Sequence, residues 1–201
     1  MFRNKNDVDE ILSALGERLK LENSPLTEIV ICGGSALHAL ELLNRTTRDV
    51  DVLCMVLHRP NGEIQIQDTI SLPEYLMKAA ILVAQDFGLE ENWLNMGPRG
   101  LVVPGLPPGF ISRLQSRQYS KSLIVHFISR FDQIHLKLYA AIIEGGGRHF
   151  NDIAVLHPSI EEIEVALHWV TPLVQEITVD WRSKIKEILK GLGYDNIAKK
   201  F

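Results

Sequence analysis

Apolar residues near the start of the chain recur at helical spacing. Val8, Ile11, Leu12, Leu15 and Leu19 fall on one face of a helix predicted over about residues 7 to 20, which the Asn23-Ser24-Pro25 turn ends. The pattern then tightens into short apolar runs. Ile29-Val30-Ile31-Cys32 reads as a buried strand that stops at Gly33-Gly34-Ser35, and Ala36, Leu37, Ala39, Leu40, Leu42 and Leu43 mark a helix opened by Ser35. Val50 to Val56 forms a second apolar strand. His58-Arg59-Pro60-Asn61-Gly62 is a turn, and Ile64-Gln65-Ile66 a short edge strand that completes a hairpin. Ser71-Leu72-Pro73-Glu74 caps a helix running to about Phe87, with Leu76, Ala79, Ala80 and Val83 as its inner face.

The second half changes character. Residues 92 to 120 are punctuated by glycine and proline and read as a long loop with little regular structure, in which Trp93 is a core or lid residue. Leu123 to Ile128 is a third major strand. Helices follow at about Phe131 to Glu144, after the Gly145-Gly146-Gly147 break through Ile153 and Leu156, from the Ser159 to Glu162 capping box to Thr171-Pro172, and over roughly 180 to 191. This order predicts an α/β fold, a mixed β-sheet flanked by helices with a helical C-terminal third. It reads as one domain over 1–201, with a sheet-containing core at 1–130 and a helical part at 131–201.

Composition narrows the class. The chain has 201 residues and 46% apolar content, enough for a well-buried core, and no run approaches the length of a membrane span. The N-terminal residues carry no apolar signal core, which predicts a cytoplasmic protein. Cys32 and Cys54 lie in predicted buried strands, where a free thiol behaves as a small hydrophobe. The net charge of −4 argues against strong general DNA binding. Residues 1–100 carry 9 basic and 15 acidic groups and residues 101–201 carry 12 and 10, so the second half is the side suited to a polyanionic acceptor. Arg99, Arg113, Arg117 and Lys121 are cations of that kind, or scattered surface charges.

The candidate chemistry begins at the glycines. Gly33 and Gly34 let the chain turn sharply at a strand end and bring backbone N–H groups close to a ligand, and the helix that follows favours an anion such as phosphate. Fourteen residues after Ser35 comes Asp49-Val50-Asp51, whose carboxylates share one face of a strand. Two adjacent carboxylates repel unless a cation neutralises them, and hard oxygen ligands suit Mg²⁺ carried in with a nucleotide's phosphates. Strand, Gly-Gly-Ser, helix, Thr46-Thr47 and Asp-x-Asp entering a strand together resemble the DNA polymerase beta-like superfamily of nucleotidyltransferases over about residues 28 to 57.

Farther along, Lys137 lies mid-helix among apolar residues, and Arg148 and Asp152 follow the glycine break. A Lys137–Asp152 structural salt bridge accounts for this pattern, but the spacing also looks like the later motif of the AbiEii-type branch of that superfamily. The resemblance implies a nucleotidyltransferase-like fold and transfer of an NMP from an NTP to a hydroxyl of RNA or protein, with Mg²⁺ or Mn²⁺. It implies phosphate binding by Gly33, Gly34 and Ser35, metal binding by Asp49 and Asp51, triphosphate binding by Lys137 and Arg148, and a positioning or general-base role for Asp152. It also implies membership of a toxin–antitoxin or phage-defence pair with a protein partner. One departure bears on mechanism: the third strand offers His126 where polymerase-like members present a carboxylate, and the nearest acid is Asp132. His126 reads as a strand histidine with its hydrogen bonds satisfied. The alternatives are a nucleotide-binding module acting through a protein partner, or a metal-dependent phosphohydrolase.

Overall fold

A computed structural model describes residues 1–42, 45–59, 63–67, 69–103, 105–145 and 147–201, with the backbone alone at Arg99. Leu43, the Pro60 to Gly62 part of the hairpin turn, Gly146 and the Arg99 side chain therefore lie outside the described residues. Contacts divide the chain into two units, Met1–Ser129 and Arg130–Phe201.

In the first unit, α1 (Lys5–Leu21) begins where the Asn4 side chain accepts a bond from the Asp7 N–H, and it buries Val8, Ile11, Leu12, Leu15 and Leu19 as its spacing predicts. The described strands are β1 (Thr27–Cys32), β2 (Val50–His58), β3 (Ile64–Gln67), β4 (Leu94–Asn95), β5 (Gln115–Ser120) and β6 (Leu123–Phe127). They form one mixed sheet in the order β3-β2-β1-β6-β5, and β4 pairs parallel with the start of β2. β1 is central and buried along its whole length, antiparallel to β2 and parallel to β6. Ile29, Ile31, Val52, Val125 and Phe127 belong to a core shared with α1, Trp93 and the inner face of α3 (Glu74–Phe87). Each such side chain contributes roughly 1.5–3 kcal/mol by leaving water. Trp93 is a core residue whose Nε1–H donates to the Ala80 carbonyl at 2.9 Å.

Three local expectations are corrected here. The helix after β1, α2 (Gly33–Ala39), is shorter than its apolar spacing suggests. Leu40 caps it, Glu41 takes the left-handed conformation at φ +59°, and the Leu42 N–H reaches back to the Leu37 carbonyl at 2.8 Å. This is a Schellman ending with glutamate where glycine is usual, so the sequence carries no stop signal. α3 is capped at Pro73 rather than Ser71, with no side-chain hydrogen bond. The stretch 92–120 holds β4, two single-turn 3₁₀ segments at Gly97–Leu101 and Ile111–Arg113, and the six-residue β5. β5 is polar because it is an edge strand, held by β6 on one side and by side chains reaching α1. Arg117 lies 3.2 Å from Asp9 and donates to the Ala39 carbonyl at 2.7 Å, and the Tyr119 hydroxyl bonds the same aspartate. Burial, aided by Asp9, raises the Tyr119 phenol well above its ordinary value.

In the second unit, α4 (Arg130–Glu144) is flanked by α5 (Gly147–Leu156) and α6 (Ile160–Gln175), followed by α7 (Trp181–Gly191) and the short α8 (Asp195–Ala198). α6 opens on the reciprocal Ser159–Glu162 capping box that the sequence predicts. It runs past Pro172 rather than ending there, because in the last turn a proline removes one backbone bond, the one to the carbonyl of the exposed residue His168. Arg130 ties three pieces together: it donates to the Leu156 and His157 carbonyls and reaches Glu162 Oε1 at 2.5 Å. The architecture is thus mixed α/β, with the sheet in the first unit and helices forming the C-terminal part. Among the described residues, no helix is long and apolar enough to cross a membrane.

Candidate active site

The Gly-Gly turn and the Asp-x-Asp segment meet at one corner of the sheet. Cys32, the last residue of β1, is in register with Asp51 on β2, and the register shifts at Val30/Ile31, a bulge that re-aims the end of the strand. Gly33 has φ +71°, and a Cβ there would lie 2.5 Å from the Asp51 carboxylate. A Cβ on Gly34 would lie 2.9 Å from Thr47 Oγ1, and that hydroxyl donates to Asp49 Oδ1 at 3.3 Å. The two glycines therefore make room for the acidic segment and for the threonine that orients it. Asp49 and Asp51 are each half-buried, a position from which a carboxylate still reaches solvent and a ligand.

Ser35 stands in α2 beside the two glycines. It is fully buried in the first turn of α2, and its hydroxyl points back to the Cys32 carbonyl at 3.4 Å. Gly33 and Gly34 are buried with it. Cys32 and Cys54 are both buried.

In the second unit, Lys137 on α4 and Asp152 on α5 form an ion pair at 2.8 Å, their side chains 10% and 1% exposed. The structural salt bridge that the sequence offered as one reading is therefore present. Arg148 stands one turn before Asp152 in α5 and is exposed. Beside them His149 Nε2 meets Glu144 Oε2 at 3.0 Å, while its Nδ1 is buried with no hydrogen-bond partner among the described residues. Burial holds the His149 imidazole below its ordinary value, Glu144 opposes that shift, and the nearby Lys137 and Arg148 charges add to it.

The loop cations divide. Arg117 is bound to Asp9 and the α2 carbonyl end, Arg113 donates to the Pro108 carbonyl at 2.8 Å, and Lys121 is exposed. Trp181 is buried edge-on to Phe201, and Trp169 is half-buried against His135 and Tyr139.

The acidic corner offers two carboxylates, the donor type that fits Mg²⁺, and no group of three or more His, Cys, Asp or Glu side chains able to hold a metal occurs among the described residues. That donor set suits an ion that keeps most of its coordination to water or phosphate rather than a protein-enclosed cage. Sequence reasoning passed over Thr47 as a positioning residue. It also missed a polar row on the sheet made by His58, Glu28, His126 and Ser116, whose members are far apart in sequence. A glutamate directly before the apolar run Ile29 to Cys32, within a strand buried along its whole length, was the signal available at Glu28. Comparison with known proteins adds no relative: no family model matches the chain, and neither a curated protein nor a solved structure matches it significantly.

Proposed function

We propose that the chain is a Mg²⁺-dependent nucleotidyltransferase that moves an NMP from an NTP to a hydroxyl of RNA or protein, and that it works within a toxin–antitoxin or phage-defence pair. The observation that carries this reading is the corner where Asp51 packs against Gly33 and Asp49 is held by Thr47. Asp49 and Asp51 would hold the ion, which when bound supplies charge neutralisation for the phosphates. The acceptor hydroxyl attacks the α-phosphorus, the bond to the β-phosphate oxygen breaks, and pyrophosphate leaves. The reaction asks for positioning and charge more than for covalent catalysis. The buried hydroxyl of Ser35 points toward Cys32, so on this reading phosphate contact at the turn falls to backbone N–H groups. In the helical unit, Lys137 is paired with Asp152, and Arg148 is exposed one turn before that aspartate. The closed pair at 2.8 Å and the near-complete burial of Asp152 favour a positioning role for that aspartate over proton abstraction.

A second reading, a nucleotide-binding module without transfer, is favoured by the absence of a three-ligand metal group among the described residues. Each α-phosphate-labelled NTP, incubated with Mg²⁺ and total RNA or lysate beside an Asp49→Ala/Asp51→Ala double variant, separates the two. Label transferred by the wild type, and reduced at least about 100-fold in the variant, supports the transferase. Nucleotide binding that depends on the acids but transfers no label supports the binding module. Absence of both overturns the nucleotide-site reading.

A further inference from the structure

Four adjacent strands each place one polar side chain in a continuous row across the sheet. His58 on β2 meets Glu28 Oε1 through Nε2 at 2.7 Å, Glu28 on β1 meets His126 Nε2 through Oε2 at 2.8 Å, and His126 Nδ1 on β6 meets Ser116 Oγ on β5 at 2.7 Å. Ser116 and His126 are cross-strand partners, and His126 and Glu28 lie on neighbouring parallel strands, so the row is fixed by backbone register. Glu28 and His126 are about 95% buried, whereas Ser116 is exposed.

The bonding directions follow from chemistry. A carboxylate only accepts, so both imidazole Nε2–H groups donate to Glu28. His126 then carries its proton on Nε2, which leaves Nδ1 as an acceptor, and the Ser116 hydroxyl must donate to it. His58 satisfies the other carboxylate oxygen and keeps Oε2 turned toward His126. The result is a hydroxyl, a base and a carboxylate that orients the base, with the hydroxyl at the surface and the other two groups shielded from water.

We propose that Ser116 is a nucleophile that accepts an acyl group from small carboxylic esters, with His126 as general base and Glu28 and His58 as positioning residues. Ser116 Oγ bonds to the carbonyl carbon as its proton passes to His126 Nδ1. The ester C–O bond breaks, and the alcohol leaves with that proton. Water then attacks the acyl-serine by the same route, giving its proton to His126, and the acid departs as the Ser116 hydroxyl recovers it. This activity is separate from nucleotidyl transfer and needs neither nucleotide nor metal.

The test is labelling of the full chain by an alkyl fluorophosphonate, which forms the serine–phosphorus bond and expels fluoride, without nucleotide or divalent cation and with peptide mapping by mass spectrometry. One label on Ser116, none in Ser116→Ala, and a rate lowered about tenfold or more in Glu28→Gln support the proposal. Glu28→Asp, which keeps a carboxylate to accept from His126, should recover part of the rate that Glu28→Gln loses. Where Glu28→Gln fails to fold by circular dichroism, the exposed substitution His58→Gln reads the same relay through a slower rate. Lack of label, labelling of Ser112 and Ser120 as fast as Ser116, or an unchanged rate in the folded relay variant would overturn it.

Discussion

The acidic corner of the sheet unit and the Lys137–Asp152 pair of the helical unit are both places where carboxylates are drawn inward, and they are held by opposite means. At the corner the fit is steric: Gly33 and Gly34 lack the Cβ atoms that would strike Asp51 and Thr47, and the acids remain half-buried. Between α4 and α5 the hold is electrostatic, because an almost fully buried aspartate has its charge set against a lysine 2.8 Å away. A site held by shape keeps its carboxylates half-buried near the surface. A pair held by charge buries its carboxylate.

Removing charge from the helical unit should have the largest effect. Asp152→Asn leaves Lys137 buried without its counter-charge and should cost about 3–5 kcal/mol in urea unfolding, whereas Lys137→Met/Asp152→Leu together should recover most of the loss. A cost for Asp152→Asn under about 1 kcal/mol would end the contrast between the two regions. Next comes the corner. Gly33→Ala combines φ +71° with a Cβ 2.5 Å from Asp51 and should destabilise by about 1–3 kcal/mol. Adding Asp51→Gly should return the steric part while leaving the backbone strain, a non-additivity that a double-mutant cycle measures.

The smallest effect is a pH slope. The hydrogen bond from Arg130 is the main cause that holds Glu162 below its ordinary value of 4.5, with burial opposing it. A carboxylate lowered on folding contributes stability that is present above its unfolded value and lost as pH falls through the folded one. Unfolding free energy should therefore fall with acidification below about pH 4.5, and the slope should be shallower in Glu162→Gln. An unchanged slope would mean that the Arg130 contact does not tie α4 to α6 electrostatically.

Local pattern made much of this legible. The α1 stripe, the β1 and β2 runs, the β2–β3 hairpin and the Ser159 capping box all rest on contacts within a few residues, where spacing and side-chain type suffice. The ends of α2 and α6 were not legible, because Glu41 and Pro172 occupy positions whose tolerance depends on the turn around them. β5 was illegible for another reason. Its polar residues carry no period until Asp9 and the neighbouring β6 give Arg117 and Tyr119 something to hold.

The sequence by itself determined the mixed α/β class, the glycine turn, the Asp-x-Asp entry to β2 and the lysine among apolar residues, since each is set by backbone freedom or by the cost of burying a charge. Only the tertiary structure decided that Gly33 fits Asp51, that Ser35 turns inward, and that His58, Glu28, His126 and Ser116 form one row. Those facts depend on which strands lie side by side and in which register. Backbone pairing across the sheet fixes that register, setting Ile29 beside Val125 and so bringing together Glu28 and His126, 98 positions apart, a distance over which spacing along the chain carries no information.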